Sequence, residues 1–171
     1  MFASDYLDGT PWDEFHENVV TATSAMITAV EKAFDLISQS TGIKFLPITE
    51  TATQCGDIRI GVTSSSQLGG DAGFSIGAPL IDMLLGTSFW DESSNGDVWI
   101  SNGSDISDFS TGGLGYLTIL HEIGHSLGLK HPHDSLSNPS GWTSPAAVEA
   151  YDNLWYSIMA YRDFPGDNWG S

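Results

Sequence analysis

Three features of the 171-residue sequence predict an α+β domain. Phe15, Val19, Ala22, Met26, Val30, Ala33 and Ile37 recur at steps of three and four, the period of a long amphipathic helix. Short apolar runs bounded by Gly, Pro and Ser come next and read as strands. From Gly113 to Leu129 the helical period returns, with Tyr116, Ile119, Leu120, Ile123 and Leu127 on one side of the wheel. The expected architecture is a mixed, twisted sheet backed by two helices, with a cleft between an upper and a lower part. A chain of this length can bury a real core as a single domain spanning 1–171.

The elements follow in order. Thr10-Pro11-Trp12-Asp13 is a helix start, with a capping Thr, Pro at the first helical position and an acid in the first turn. The helix is expected to end near Thr41-Gly42. Ile43 to Ile48 and Asp57 to Val62 read as strands, and Ile58, Ile60 and Val62 alternate with polar or small residues. Residues 63–96 are rich in Gly and Ser, which predicts loops around one short strand near Ala72 to Ala78. Asp97 to Ser101 is a further strand, followed by a polar loop and the second helix. His133 to Ala147 is a polar, Pro-containing connection before the segment Asp152 to Tyr161. No internal repeat is visible.

Residues 121–131 read His-Glu-Ile-Gly-His-Ser-Leu-Gly-Leu-Lys-His. On a helix, His121 and His125 lie about 40° apart around the axis and about 6 Å apart along it, so both imidazoles can converge on one ion. They project from the side opposite the apolar stripe. Glu122 lies about 100° round from His121, off the ligand face but within reach of a water on the metal. Gly128 can take the left-handed conformation that ends a helix. The chain can then turn back and bring His131 as a third nitrogen. Three protein ligands leave one position open, as in catalytic rather than structural zinc sites. Chance assembly of these five fixed letters in this composition is roughly one in fifty thousand.

The string matches H-E-x-x-H-x-x-G-x-x-H, and the chain resembles the metzincin metalloproteases. Ser157-Ile158-Met159-Ala160-Tyr161 is similar to their Met-turn; read alone, it is a short packed stretch. Pro132 directly after His131, and Tyr161 two residues after Met159, make the serralysins the most similar family. Asp97-Val98-Trp99-Ile100-Ser101 looks like the edge strand that borders the substrate cleft there. The resemblance covers roughly residues 13 to 164. It implies one catalytic zinc held by His121, His125 and His131, with Tyr161 as an additional, displaceable ligand. It also implies hydrolysis of internal peptide bonds by metal-activated water, with Glu122 as general base and Tyr161 donating a hydrogen bond to the oxyanion. An extended protein or peptide substrate would pair with Val98 to Ser101.

The sequence departs from the family in three ways. His133 stands where Gly usually follows His-Pro, the C-terminal repeats are missing, and so is the helix expected after the Met-turn. The expectation is a catalytic domain truncated at its C-terminal end, from a secreted bacterial-type exoprotein.

Composition narrows the partners. Five basic against 22 acidic residues give a net charge of −17, which excludes nucleic acid and anionic membrane surfaces as partners. The acidity reads first as a solvated surface. The sharper reading is divalent-cation binding at acidic loops such as Asp105 to Asp108, or a preference for cationic peptides; Glu149 and Asp152 are further candidate calcium ligands, with plain surface carboxylates the default. A lone Cys55 rules out an intrachain disulfide. No apolar run approaches a membrane span, and the N-terminus lacks the pattern of a signal peptide. A monomer is expected.

Other histidines and aromatics have plainer readings. His16 reads as a surface residue; His133 could compete with His131 as third ligand, although its spacing breaks the motif. Tyr151 and Tyr156 would replace Tyr161 only if the Met-turn were misplaced. Trp90, Trp99, Trp142 and Trp155 are core or cleft-wall residues. The rival class is a catalytically silent, zinc-stabilised binding or adhesion module. Against it stand the retained Glu122 and the open fourth position. A milder rival keeps zinc hydrolysis but changes the substrate, for example to a cell-wall peptide.

Overall fold

The computed structural model describes residues 19–49, 56–75, 96–137 and 143–162. The predicted helix start at Thr10 to Asp13 and the readings of Phe15, His16, Cys55, Trp90 and Trp142 lie outside the described residues. The chain divides into two compact units, Met1–Gly128 and Leu129–Ser171.

In the first unit, α1 spans Ser24–Thr41. Thr23 caps it, its side-chain oxygen accepting from the Met26 N–H at 3.2 Å. The predicted helical run through Val19 and Ala22 is therefore too long at this end. Val19 to Thr23 are not helical, and the Val20 N–H donates to the Val62 carbonyl at 2.9 Å. That bond fastens the segment to a strand, and β-branched residues around it favour extended backbone. At the other end Gly42 closes the helix at φ +79°, as expected.

The predicted strand at Ile43 to Ile48 carries no strand pairing. Pro47 lacks a ladder donor and Leu46 is 82% exposed. Phe45 packs instead against Phe34 of α1, ring centroids 4.8 Å apart.

Among the described residues, three short strands form a sheet: β1 (Ile60–Thr63), β2 (Gly73–Ser75) and β3 (Val98–Ser101). Their order is β1-β3-β2, with β1 parallel and β2 antiparallel to β3. Val98 lies opposite Ile60 on one side and Ser75 on the other. The strand expected at the edge is thus the middle one. All four of its residues are buried, the pattern of a central strand covered on both faces.

Just before β1 and β3, Arg59 and Asp97 form a buried two-pronged ion pair, Nε to Oδ1 at 2.8 Å and Nη2 to Oδ2 at 2.6 Å. The Arg59 carbonyl also accepts from the Val98 N–H at 2.8 Å. A main-chain bond and a two-pronged ion pair thus join the two segments where β1 and β3 begin.

The second helix, α2, spans Leu114–Ser126. It packs on β2, β3 and α1. Ile119 and Ile123, fully buried, join Met26, Ala29, Val30 and Ala33 of α1 and Ile60, Val62, Val98 and Ile100 of the sheet in one core.

The second unit holds a small antiparallel pair, β4 (Leu136–Ser137) with β5 (Thr143–Ser144), and a tight final segment. Asn153 organises that segment. It is 1% exposed, donates to the Ala150 carbonyl, and accepts from the Trp155 N–H.

Candidate metal centre

Helix α2 is built to bury one side and show the other. Its apolar stripe, Tyr116, Ile119 and Ile123, is no more than 5% exposed. Gly113 caps the helix without a side-chain bond. Instead the Asp108 carbonyl accepts from the Gly115 N–H at 2.9 Å, and Asp108 Oδ1 accepts from the Ser110 N–H and hydroxyl. Those bonds from Ser110 hold the Asp108 carboxyl below the ordinary range. The acidic loop Asp105 to Asp108 thus has a local task at the entry to α2.

One helical turn apart, His121 Nε2 and His125 Nε2 face each other at 3.0 Å, with the rings edge-to-face. Two nitrogens bound to one tetrahedral zinc at about 2.0–2.1 Å would lie about 3.3 Å apart. The donor set therefore fits a shared ion. After Ser126 the helix closes through Leu127 and Gly128, whose N–H groups donate to the Ile123 and His125 carbonyls. Gly128 takes φ +87°, the left-handed turn predicted for it.

Glu122, 7% exposed, sits against β2. A Cβ on Gly73 would come within 2.7 Å of Glu122 Cγ and 3.0 Å of its Oε1. Only a residue without a side chain leaves room there for the carboxylate. Burial, and then the charge of Asp71, push the Glu122 carboxyl up to about 7. Gly73 and Asp71 were not singled out in the sequence, because nothing local to residues 71–73 refers to Glu122.

In the second unit His131 opens a tight turn. Pro132 follows it, and the Asp134 N–H donates back to the His131 carbonyl at 3.1 Å. His131 Nδ1 lies 2.9 Å from Asp134 Oδ2. His133 stacks on His131, centroids 5.0 Å apart and nearly parallel, and the Tyr161 ring packs 4.5 Å from His131. Burial alone would raise the Asp134 carboxyl; the hydrogen bond from His131 and the nearby imidazoles outweigh it and hold it low. Asp134 was missed in the sequence, although His-Pro-x-Asp carries a turn signature that places its first and last residues together.

The Met-turn segment is compact. Met159 is 2% exposed, its N–H bonded to Ser157 Oγ, while the Ala160 N–H donates to the Ser157 carbonyl. Tyr161 is 56% exposed. Tyr151 and Tyr156 pair with each other, rings 5.0 Å apart. The proposed calcium ligands Glu149 and Asp152 are engaged elsewhere: Arg162 donates to Glu149 at 2.8 Å, and His133 Nδ1 lies 3.4 Å from Asp152 Oδ1. Among the described residues no three carboxylates gather as a calcium cage.

Residues 12–138 match the family described as Matrixin, a peptidase family. The chain belongs to the matrixin family. It is a serralysin-like metzincin catalytic domain. It is 30% identical over 144 residues to the Serralysin of Proteus mirabilis, covering 77% of this chain and 27% of that protein. It is 45% identical over 51 residues to the Metalloprotease AprA of Pseudomonas entomophila (strain L48), 30% of this chain and 10% of the relative. Serralysin C of Dickeya chrysanthemi is 36% identical over 70 residues, 40% of this chain and 15% of the relative. The chain thus spans about a quarter or less of these relatives' length. Matrixin membership implies zinc, and the facing nitrogens on α2 suit it. No helix among the described residues is long and apolar enough to cross a membrane.

Proposed function

We propose that residues 1–171 work as one zinc metalloendopeptidase domain of serralysin type, cleaving internal bonds of extended polypeptides. The observation that carries this reading is on α2: two facing imidazole nitrogens with a buried carboxylate beside them. His121, His125 and His131 would hold the ion, with Tyr161 as an additional, displaceable ligand. When bound, zinc supplies a Lewis acid that makes water acidic enough to react near neutral pH and polarises the scissile carbonyl.

Glu122 is the general base. It takes a proton from the attacking water and passes it to the leaving nitrogen. A carboxyl held near 7 can both accept and release a proton in the neutral range. Tyr161, exposed and packed on the His131 ring, donates a hydrogen bond to the oxyanion. The substrate does not pair with β3, whose main chain is taken on both sides by β1 and β2. Likeness to the serralysins supports a secreted exoprotein acting on protein substrates.

Replacing Glu122→Ala is expected to leave one zinc bound per chain while casein hydrolysis falls about 10²–10⁴-fold. Hydrolysis by that variant at the parent rate would remove Glu122 from the mechanism. A parent protein that binds one zinc yet cleaves no polypeptide would instead be a binding module.

A further inference from the structure

The third histidine of the motif lies within a chain of polar contacts that the mechanism above does not use. Asp134 places Oδ2 2.9 Å from His131 Nδ1. A carboxylate only accepts, so Nδ1 carries the proton and donates. Of the two ring nitrogens, Nε2 is then the one left with a lone pair for a metal. The other oxygen, Oδ1, faces His133 Nε2 at 3.9 Å. His133 in turn sets Nδ1 3.4 Å from Oδ1 of Asp152, whose side chain is 7% exposed, and Arg162 Nε lies 4.0 Å from Asp152 Oδ2.

The backbone adds a second hold. The Asp134 N–H bonds the His131 carbonyl, and Lys130 Nζ donates to the Asp134 carbonyl and, at 3.2 Å, to that of Pro145. His131 is thus gripped at its ring and at its main chain by the same residue. His133, the residue that departs from the Gly of the family pattern, stacks on the His131 ring and sets Nε2 3.9 Å from the same carboxylate.

We propose that Asp134 is a positioning residue that fixes the ring orientation and tautomer of His131, with His133 stacked beside the pair. The inference rests on His131 being a zinc ligand. Partners of this kind raise the basicity of a ligating histidine and limit its rotation, and their loss weakens metal binding about 10–100-fold.

The test is the zinc dissociation constant of the full chain, measured by competition with a chromogenic chelator, with thermal melts to confirm folding. Asp134→Ala is expected to weaken zinc 10–100-fold. Asp134→Asn, whose amide oxygen still accepts from Nδ1, is expected to recover much of that loss. His133→Gly is expected to produce a smaller loss in the same direction. In the zinc-loaded parent, ¹⁵N NMR should show His131 protonated at Nδ1; this signature does not depend on any variant folding. If His131→Ala weakens zinc strongly while Asp134→Ala stays within twofold of the parent, the positioning role is overturned and the ligand reading stands. If His131→Ala itself leaves zinc affinity unchanged, both fall. An Nε2-protonated His131 in the loaded protein overturns the proposal on its own.

Discussion

Glu122 acquires its character from residues distant in sequence. Its carboxylate stands in the space that a Cβ on Gly73 would occupy, and burial together with Asp71 lifts it to about 7. The clash is with the side chain itself, so Gly73→Ala should displace the carboxylate rather than unfold the domain. The expected outcome is a kcat at least tenfold lower, with zinc content unchanged and KM within about twofold, because only a transition-state interaction is disturbed. Steady-state kinetics beside zinc analysis measures both. A variant whose KM rises while kcat holds would show that Gly73 shapes substrate binding instead. Asp134 and His131 tell a similar story in the second unit, since their contact is local but depends on which ring nitrogen the turn presents.

Among the elements, two predictions separate capping from charge pairing. Thr23 ends the extended segment and opens α1 with a bond to Met26. Thr23→Ala should cost about 1 kcal/mol and lower the melting temperature by roughly 2–4 °C, read by calorimetry. Arg59 and Asp97 are a different case, an ion pair with both side chains at 8% exposure or less. Asp97→Ala leaves the guanidinium buried without its partner and should cost about 3–5 kcal/mol. An urea midpoint within error of the parent would mean the pair contributes nothing to holding β1 beside β3. The helices were readable because their apolar residues recur on a local period, and Met26, Val30, Ala33, Ile119 and Ile123 are core residues as that period requires. The strands were less so. Ile43 to Ile48 has strand composition without strand partners, and Val98 to Ser101 was placed at an edge although it is central. Pairing is a long-range choice, and a four-residue apolar run reads alike at an edge or in the middle.

For the whole molecule, the bound ion should link activity to stability. Removing zinc with a chelator is expected to abolish proteolysis and to lower the melting temperature, with both restored by added zinc. At a free zinc concentration 100 times the dissociation constant, binding contributes about 2.7 kcal/mol, or roughly 5–10 °C for a chain of this size. Activity that survives complete metal removal would end the zinc-peptidase reading. What the amino-acid sequence determined by itself was the local geometry of α2 and its end: the spacing of His121, Glu122, His125 and Gly128 acts through helix geometry and one left-handed turn, which need no distant contact. Only the tertiary structure decided that β3 is flanked on both sides and that Gly73 and Asp71 stand beside the carboxylate of Glu122. Helical period and turn chemistry are properties of neighbours along the chain. Burial, strand order and proton position depend on which remote segments the packed core brings against them.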